Sequence, residues 1–179
     1  MEWYIAIVKA HPILSAIVQF AILGTFGEVV SKWVVNKKVY WPFTVKQTLW
    51  KMVVWSILAV TIKYAFAGFK GYVHALLEHD LLPKVVESNR FLKAFTLSAF
   101  TNIQFGVFMV VFHRILDNII VKEKNWKGLE KGMFCMIWFW IPAHTITFML
   151  PTNLQIGLAA IWSVALGILL GFFNKPKNI

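Results

Sequence analysis

Five apolar stretches, each near the roughly 20 residues that a helix needs to cross a bilayer core, occupy most of this 179-residue chain. They run over 12–35, 51–69, 91–121, 133–150 and 153–173. The third is longer than one core thickness and is expected to project beyond it. Pro151, Thr152 and Asn153 alone separate the last two. Proline cannot continue a helical ladder and pushes its predecessor out of the α region, so a tight helical hairpin is expected there. In a four-span alternative, one of these two segments lies shallow or breaks within the bilayer. Either way the fold class is all-α: a polytopic transmembrane helical bundle forming one domain over 1–179.

Composition agrees. Hydrophobic residues make up 59% and charged residues 15% of the chain, against roughly 25% charged in soluble domains, and mean hydropathy is +0.66. A chain this short cannot bury so much apolar surface within itself, so the lipid bilayer is its expected partner. The formal charge of +10 does not point to nucleic acid, because no basic run is interleaved with aromatics as single-strand binding requires. The lysines instead flank apolar spans, where they set topology. Lys37, Lys38 and Lys46, then Arg114, Lys122, Lys124, Lys127 and Lys131, then Lys175 and Lys177 fall on one side of a five-span bundle. The expected topology is therefore N-terminus outside and C-terminus inside. Trp3, Trp33, Trp41, Trp50 and Trp126 sit at or beyond span ends, as membrane-interface tryptophans do. Glu2 and Lys9 bracket only a short apolar run with no small-residue cleavage site after it, so no cleavable signal is expected. Cys135, the single cysteine, allows no intrachain disulfide and reads as a small apolar packing residue.

Between the second and third stretches, Leu76, Leu77, Leu81 and Leu82 recur at helical spacing against His74, Glu78 and Asp80. That pattern predicts a short amphipathic surface helix ending near Pro83, with Ser88 or Asn89 capping the next span. His74, Glu78 and His79 do not have the spacing of a zinc-protease motif. No metal site, nucleotide loop or cofactor is expected.

Polar groups within spans are costly and mark functional candidates. Glu28 and Lys32 lie four residues apart on one helix face, in the favourable order for an ion pair. Lys63 lies deep in the second span, where insertion costs roughly 2.5–3.5 kcal/mol, and pairing with Glu28 would relieve both groups. The alternatives are a dry, orienting salt bridge, a charged lining of an aqueous path, or snorkelling. Ala94, Ser98, Asn102 and Gly106 recur every four residues, a spacing that lets helices approach closely while Asn102 hydrogen-bonds across the contact. Gln104 lies on another face and is a second pore candidate. Ala159, Ser163, Gly167 and Gly171 repeat the small-residue stripe, packing within the bundle or between copies in a homo-oligomer; Gly27 is a further packing position. His144 follows Pro142, where proline frees a backbone carbonyl that Thr145 or Thr147 can satisfy.

These landmarks resemble the Mpv-seventeen / peroxisomal-membrane-protein-twenty-two family of small multi-span proteins. His11-Pro12 is similar to the family's "HP" before its first span. Thr25-Phe26-Gly27-Glu28-Val29-Val30-Ser31-Lys32 is similar to its G-x-G-D-x-x-S-Q. The region from Tyr72 to Pro83 loosely resembles its W-Y-x-x-L-D-x-x-x-P, and that from Asn102 to Val107 its Q-x-x-F-A-P. Asn125-Trp126, then Trp138, Trp140, Pro142, Phe148, Pro151 and Trp162 follow the order of its N-W, W-P, N-F, V-P and W-N landmarks. Departures are clear: Ile141 interrupts W-P, Thr147 and Ser163 replace asparagines, and Lys32 replaces glutamine. The chain is thus similar to a divergent, prokaryotic-type member.

The resemblance implies a pore-like membrane protein for small solutes or ions with no enzymatic reaction, and it sets Glu28 on the family's acidic position. It further implies the mitochondrial inner or peroxisomal membrane in a eukaryote, or the cell (inner) membrane in a prokaryote. On this reading Glu28, Lys32, Lys63, Asn102 and Gln104 form a polar path. Two readings compete with it: a non-conducting structural or regulatory protein that binds lipids or partner proteins, and a membrane enzyme using His113 or His144 as acid–base groups.

Overall fold

The computed structural model describes residues 2–121, 126 and 128–173. Lys122, Lys124, Asn125, Lys127, Lys175 and Lys177, used above for topology and family likeness, lie outside the described residues. The described chain is all-helical. Four helices are long and apolar enough to cross a membrane: Pro12–Asn36, Val45–Glu78, Arg90–Ile119 and Thr152–Phe172.

A first helix, α1 (Glu2–Ala10), ends at His11, and α2 (Pro12–Asn36) starts on the proline, whose missing N–H costs nothing in a first turn. The two double back on one another, so that the Tyr4 hydroxyl donates to Gln19 Oε1 at 2.9 Å. Lys37, in the left-handed region at φ 51°, closes α2. Thr44 and Gln47 form a reciprocal capping box that opens α3 (Val45–Glu78), satisfying two N–H groups that the first turn leaves unpaired.

At 34 residues, α3 is about 51 Å long and outruns a bilayer core. This corrects the expectation of a separate amphipathic helix near the surface: its residues up to Glu78 are the last turns of α3. Gly68 and Gly71 weaken a helix without breaking it. The stop comes only at Asp80, with φ 54°, ahead of Pro83. After the single turn of α4 (Val85–Ser88), Asn89 caps α5 (Arg90–Phe100), accepting from the Leu92 N–H at 3.0 Å.

One wide π turn, Thr101–Phe105, joins α5 to α6 (Gly106–Val121). A second, Met136–Trp140, joins α7 (Leu129–Cys135) to α8 (Ile141–Phe148). In the second, the Ile141 N–H reaches back five residues to the Met136 carbonyl, and Pro142 follows directly. This interrupted helix from Leu129 to Phe148 is not among the four that meet the length and hydropathy of a span. It packs along the α5–α6 helix and α9 (Thr152–Phe173).

The core lies where α2, α3 and α9 meet, on Phe20, Val54, Leu58, Ile156 and Ala160. Contact between α2 and α9 is backbone-close: a Cβ on Gly167 would lie 2.0 Å from the Gly27 carbonyl oxygen, and one on Gly27 2.5 Å from that of Ser163. A Cβ on Gly171 would meet Val34 Cβ at 2.6 Å, and one on Gly106 would meet Met136 Sδ at 2.7 Å. The stripe on α9 is therefore covered by α2 within a single chain. Ile22, Ile57, Phe108, Ile137, Ile161 and Ile168 point outward and exposed, the apolar exterior that lipid requires.

Candidate functional site

A cavity of about 500 Å³ opens between α2, α6, α7 and α9, at the end of the bundle where α2 ends and α3 begins. Glu28, Lys32, His113, Arg114 and Asp117 line it, with Gly27, Ser163 and Gly167 in its wall. Glu28 is held by α3: its Oε1 accepts from the Trp55 indole N–H at 2.9 Å, and its Oε2 is paired with the Lys51 ammonium. Lys51 also reaches Asp117 Oδ1 at 3.7 Å and lies 4.9 Å from the centre of the Phe43 ring. His113 and Asp117, four apart on α6, share one face, with 3.6 Å between His113 Nε2 and Asp117 Oδ2. The same nitrogen is 3.9 Å from Glu28 Oε1; it is buried with no hydrogen-bond partner. The Trp55 ring backs the imidazole, edge-on, at 4.8 Å.

The expected partner of Glu28 was Lys63, and the structure pairs Glu28 with Lys51 instead. Hairpin arithmetic gives the reason. Glu28 lies eight residues before the end of α2, about 12 Å down the helix. Lys51 lies six residues into α3, about 9 Å down, but Lys63 lies 18 in, about 27 Å down. Lys32 lines the cavity without an ion pair to Glu28.

A second constellation occupies the middle of the bundle and is neutral. Asn102 in the first π turn is 2% exposed. Its side-chain NH₂ donates to the Ser98 carbonyl at 2.8 Å and to the Trp140 carbonyl at 3.4 Å, while its Oδ1 lies 3.0 Å from His144 Nδ1. The Ser98 hydroxyl donates to the Ile141 carbonyl at 2.7 Å, as does that of Thr145. The Trp140 and Ile141 carbonyls thus accept from the neighbouring helix, and Thr145 and Thr147 bond back to Ile141 and Ala143, one turn behind each. A void of about 20 Å³, the size of one water, touches Asn102 and His144 and shares Met109, Met136 and Trp140 with the large cavity.

The third polar region lies at the opposite end. Lys63 and Lys70 line a cavity of about 310 Å³ with Phe66, Thr152 and Gln155, and Lys70 donates to Gln155 Oε1 at 2.7 Å. Phe66 also borders the central void. Gln104 belongs to none of the three: it is exposed on the outer surface, because a residue two positions from buried Asn102 falls on the far side of a helix.

Of the residues singled out in the sequence, Trp140 is buried, Phe148 packs on the core, the Trp162 indole N–H donates to Thr147 Oγ1 at 3.1 Å, and Trp126 is exposed. Pro142 follows the second π turn and Pro151 opens the hairpin into α9. Cys135 is buried in the large cavity's wall.

Lys51 and Asp117 belong to this candidate site and were missed by sequence reasoning, and His113 entered only as an acid–base candidate. Two signals were available. His113 and Asp117 stand at i and i+4, and residues equidistant from the turn of a helical hairpin meet. No protein-family model, no characterised protein and no solved structure matches the chain.

Proposed function

We propose that this chain is a membrane pore for small solutes or ions, closed in the conformation described, in the manner of the Mpv-seventeen family that its landmarks resemble. The observation that carries the reading is the succession of three spaces along the bundle, the outer two lined by charged side chains and the middle one largely apolar. The Glu28 cavity, the one-water void at Asn102 and His144, and the Lys63 cavity follow one another, and adjacent spaces share wall residues. Met109, Met136 and Trp140 form the barrier on one side of the void and Phe66 on the other. Methionine is the adaptable side chain among these, and both π turns border the void, a type of irregularity frequent at functional sites.

Five crossing segments accompany this reading. The Leu129–Phe148 helix lies against α5–α6 and α9, and as a fifth crossing it returns the chain ends to opposite sides.

The narrowness of the centre favours one other reading, a non-conducting structural protein. Reconstituted liposomes separate the two. Efflux of small solutes is expected from wild-type protein and should rise when Met136→Ala widens the constriction. Efflux no greater than from empty liposomes for both proteins, across pH and voltage, would leave the structural reading standing.

A further inference from the structure

The Glu28 cavity also holds a cluster of donor side chains that the pore reading does not explain. Glu28, His113 and Asp117 each present one ligand atom, and the three atoms lie within 4.8 Å of one another. The division of oxygens is the telling detail. Lys51 is paired with Glu28 Oε2 and Asp117 Oδ1, whereas His113 Nε2 faces the other oxygen of each carboxylate, Oε1 and Oδ2, at 3.9 and 3.6 Å. The nitrogen is buried and makes no hydrogen bond. Around a tetrahedral zinc ion, with bonds of about 2.0–2.2 Å, neighbouring ligand atoms stand about 3.4 Å apart. Small side-chain adjustments therefore bring these three donors to a metal without displacing Lys51.

We propose that Glu28 Oε1, His113 Nε2 and Asp117 Oδ2 form a binding site for a divalent transition metal ion of the zinc type. One imidazole nitrogen with two carboxylate oxygens suits zinc and its neighbours, not magnesium or calcium, which take oxygen-only shells. Two carboxylates beside one Lys51 ammonium leave a net negative charge facing the ion. The Trp55 N–H on Glu28 and the Lys51 ammonium on both carboxylates orient the ligands from outside, as outer-shell partners do in metal sites. The fourth position faces the cavity, open to water or a solute. The site depends on the cavity's residues and not on conduction, so it can be tested on protein that conducts nothing.

The test is a calorimetric titration of the untagged full chain in lipid nanodiscs with Zn²⁺, repeated with Co²⁺ while following its visible absorption. One ion per chain is expected, with tetrahedral-type cobalt bands. His113→Gln and Asp117→Asn should each weaken binding by more than the roughly 10–100-fold that outer-shell replacements cost. His74→Ala/His79→Ala, which removes the exposed histidines of α3's end, should leave it unchanged. Zinc should also raise the melting temperature of the wild type and not that of a variant that melts normally without metal. No saturable binding in the micromolar range, or binding that survives both His113→Gln and Asp117→Asn, overturns the proposal.

Discussion

The two polar clusters of this bundle solve the same problem in opposite ways. Near the end of α2, Glu28, Lys51, His113 and Asp117 gather four titratable groups beside a cavity of about 500 Å³. At mid-depth, Ser98, Asn102, Thr145 and His144 form a neutral network beside a void that fits one water. Charge persists where a large cavity and a counter-ion lower its cost, with 17% and 24% of the Lys51 and Glu28 side chains still exposed. In the centre, the groups are uncharged amide, hydroxyl, imidazole and carbonyl, each finding its partner in protein, as a low-dielectric interior demands. On the pore reading proposed above, the first arrangement is the vestibule and the second the barrier.

Breaking the charged cluster should give the largest stability effect. Lys51→Met strands two carboxylates and is expected to cost about 2–3 kcal/mol, below the roughly 3–5 of a fully buried pair because water still reaches this one. Adding Glu28→Gln to Lys51→Met should recover part of that loss, and a double-mutant cycle on thermal or denaturant unfolding measures the coupling. The neutral cluster should respond less. Asn102→Leu removes bonds to Ser98, Trp140 and His144 and should cost about 1–2 kcal/mol, between the typical cost of an unsatisfied buried group and the weaker bonds measured in membranes. Lys63→Met sharpens the contrast from the other end. Lys63 makes no ion pair with Glu28, so its replacement should change stability by less than about 0.5 kcal/mol; a loss comparable to that of Lys51→Met would restore the pairing expected from sequence.

That last contrast marks how far the sequence could be read. Helical spans were legible because lipid imposes length and hydropathy: the start of α2 at Pro12, a cap at Ser88 or Asn89 and the turn at Pro151 were all read from residues whose backbone chemistry leaves little choice. Asn102 and the small residues around it were legible as a face because helical spacing is local. The partner of Glu28 was not, since a polar side chain in a span announces a need for a counter-charge without saying which helix supplies it. The relative height of residues on neighbouring helices decides that, and it depends on where the turn falls. Both π turns were illegible for a related reason. Each adds one residue to a turn to fit the facing helix, and nothing in Thr101–Phe105 or Met136–Trp140 encodes a wide turn locally. The end of α3 was misjudged because an amphipathic pattern reports which face is polar, not whether the helix has already begun.

The most direct measurement of the central claim is conductance in planar bilayers, comparing wild-type protein with Glu28→Gln and Trp140→Ala. The account predicts protein-dependent current whose ion selectivity shifts when the vestibule carboxylate is neutralised, and whose magnitude grows when the indole at the constriction is removed. Absence of current from all three, with each protein shown to be folded in the membrane, would contradict a pore and leave the Glu28 cavity as a binding site in a bundle that does not conduct.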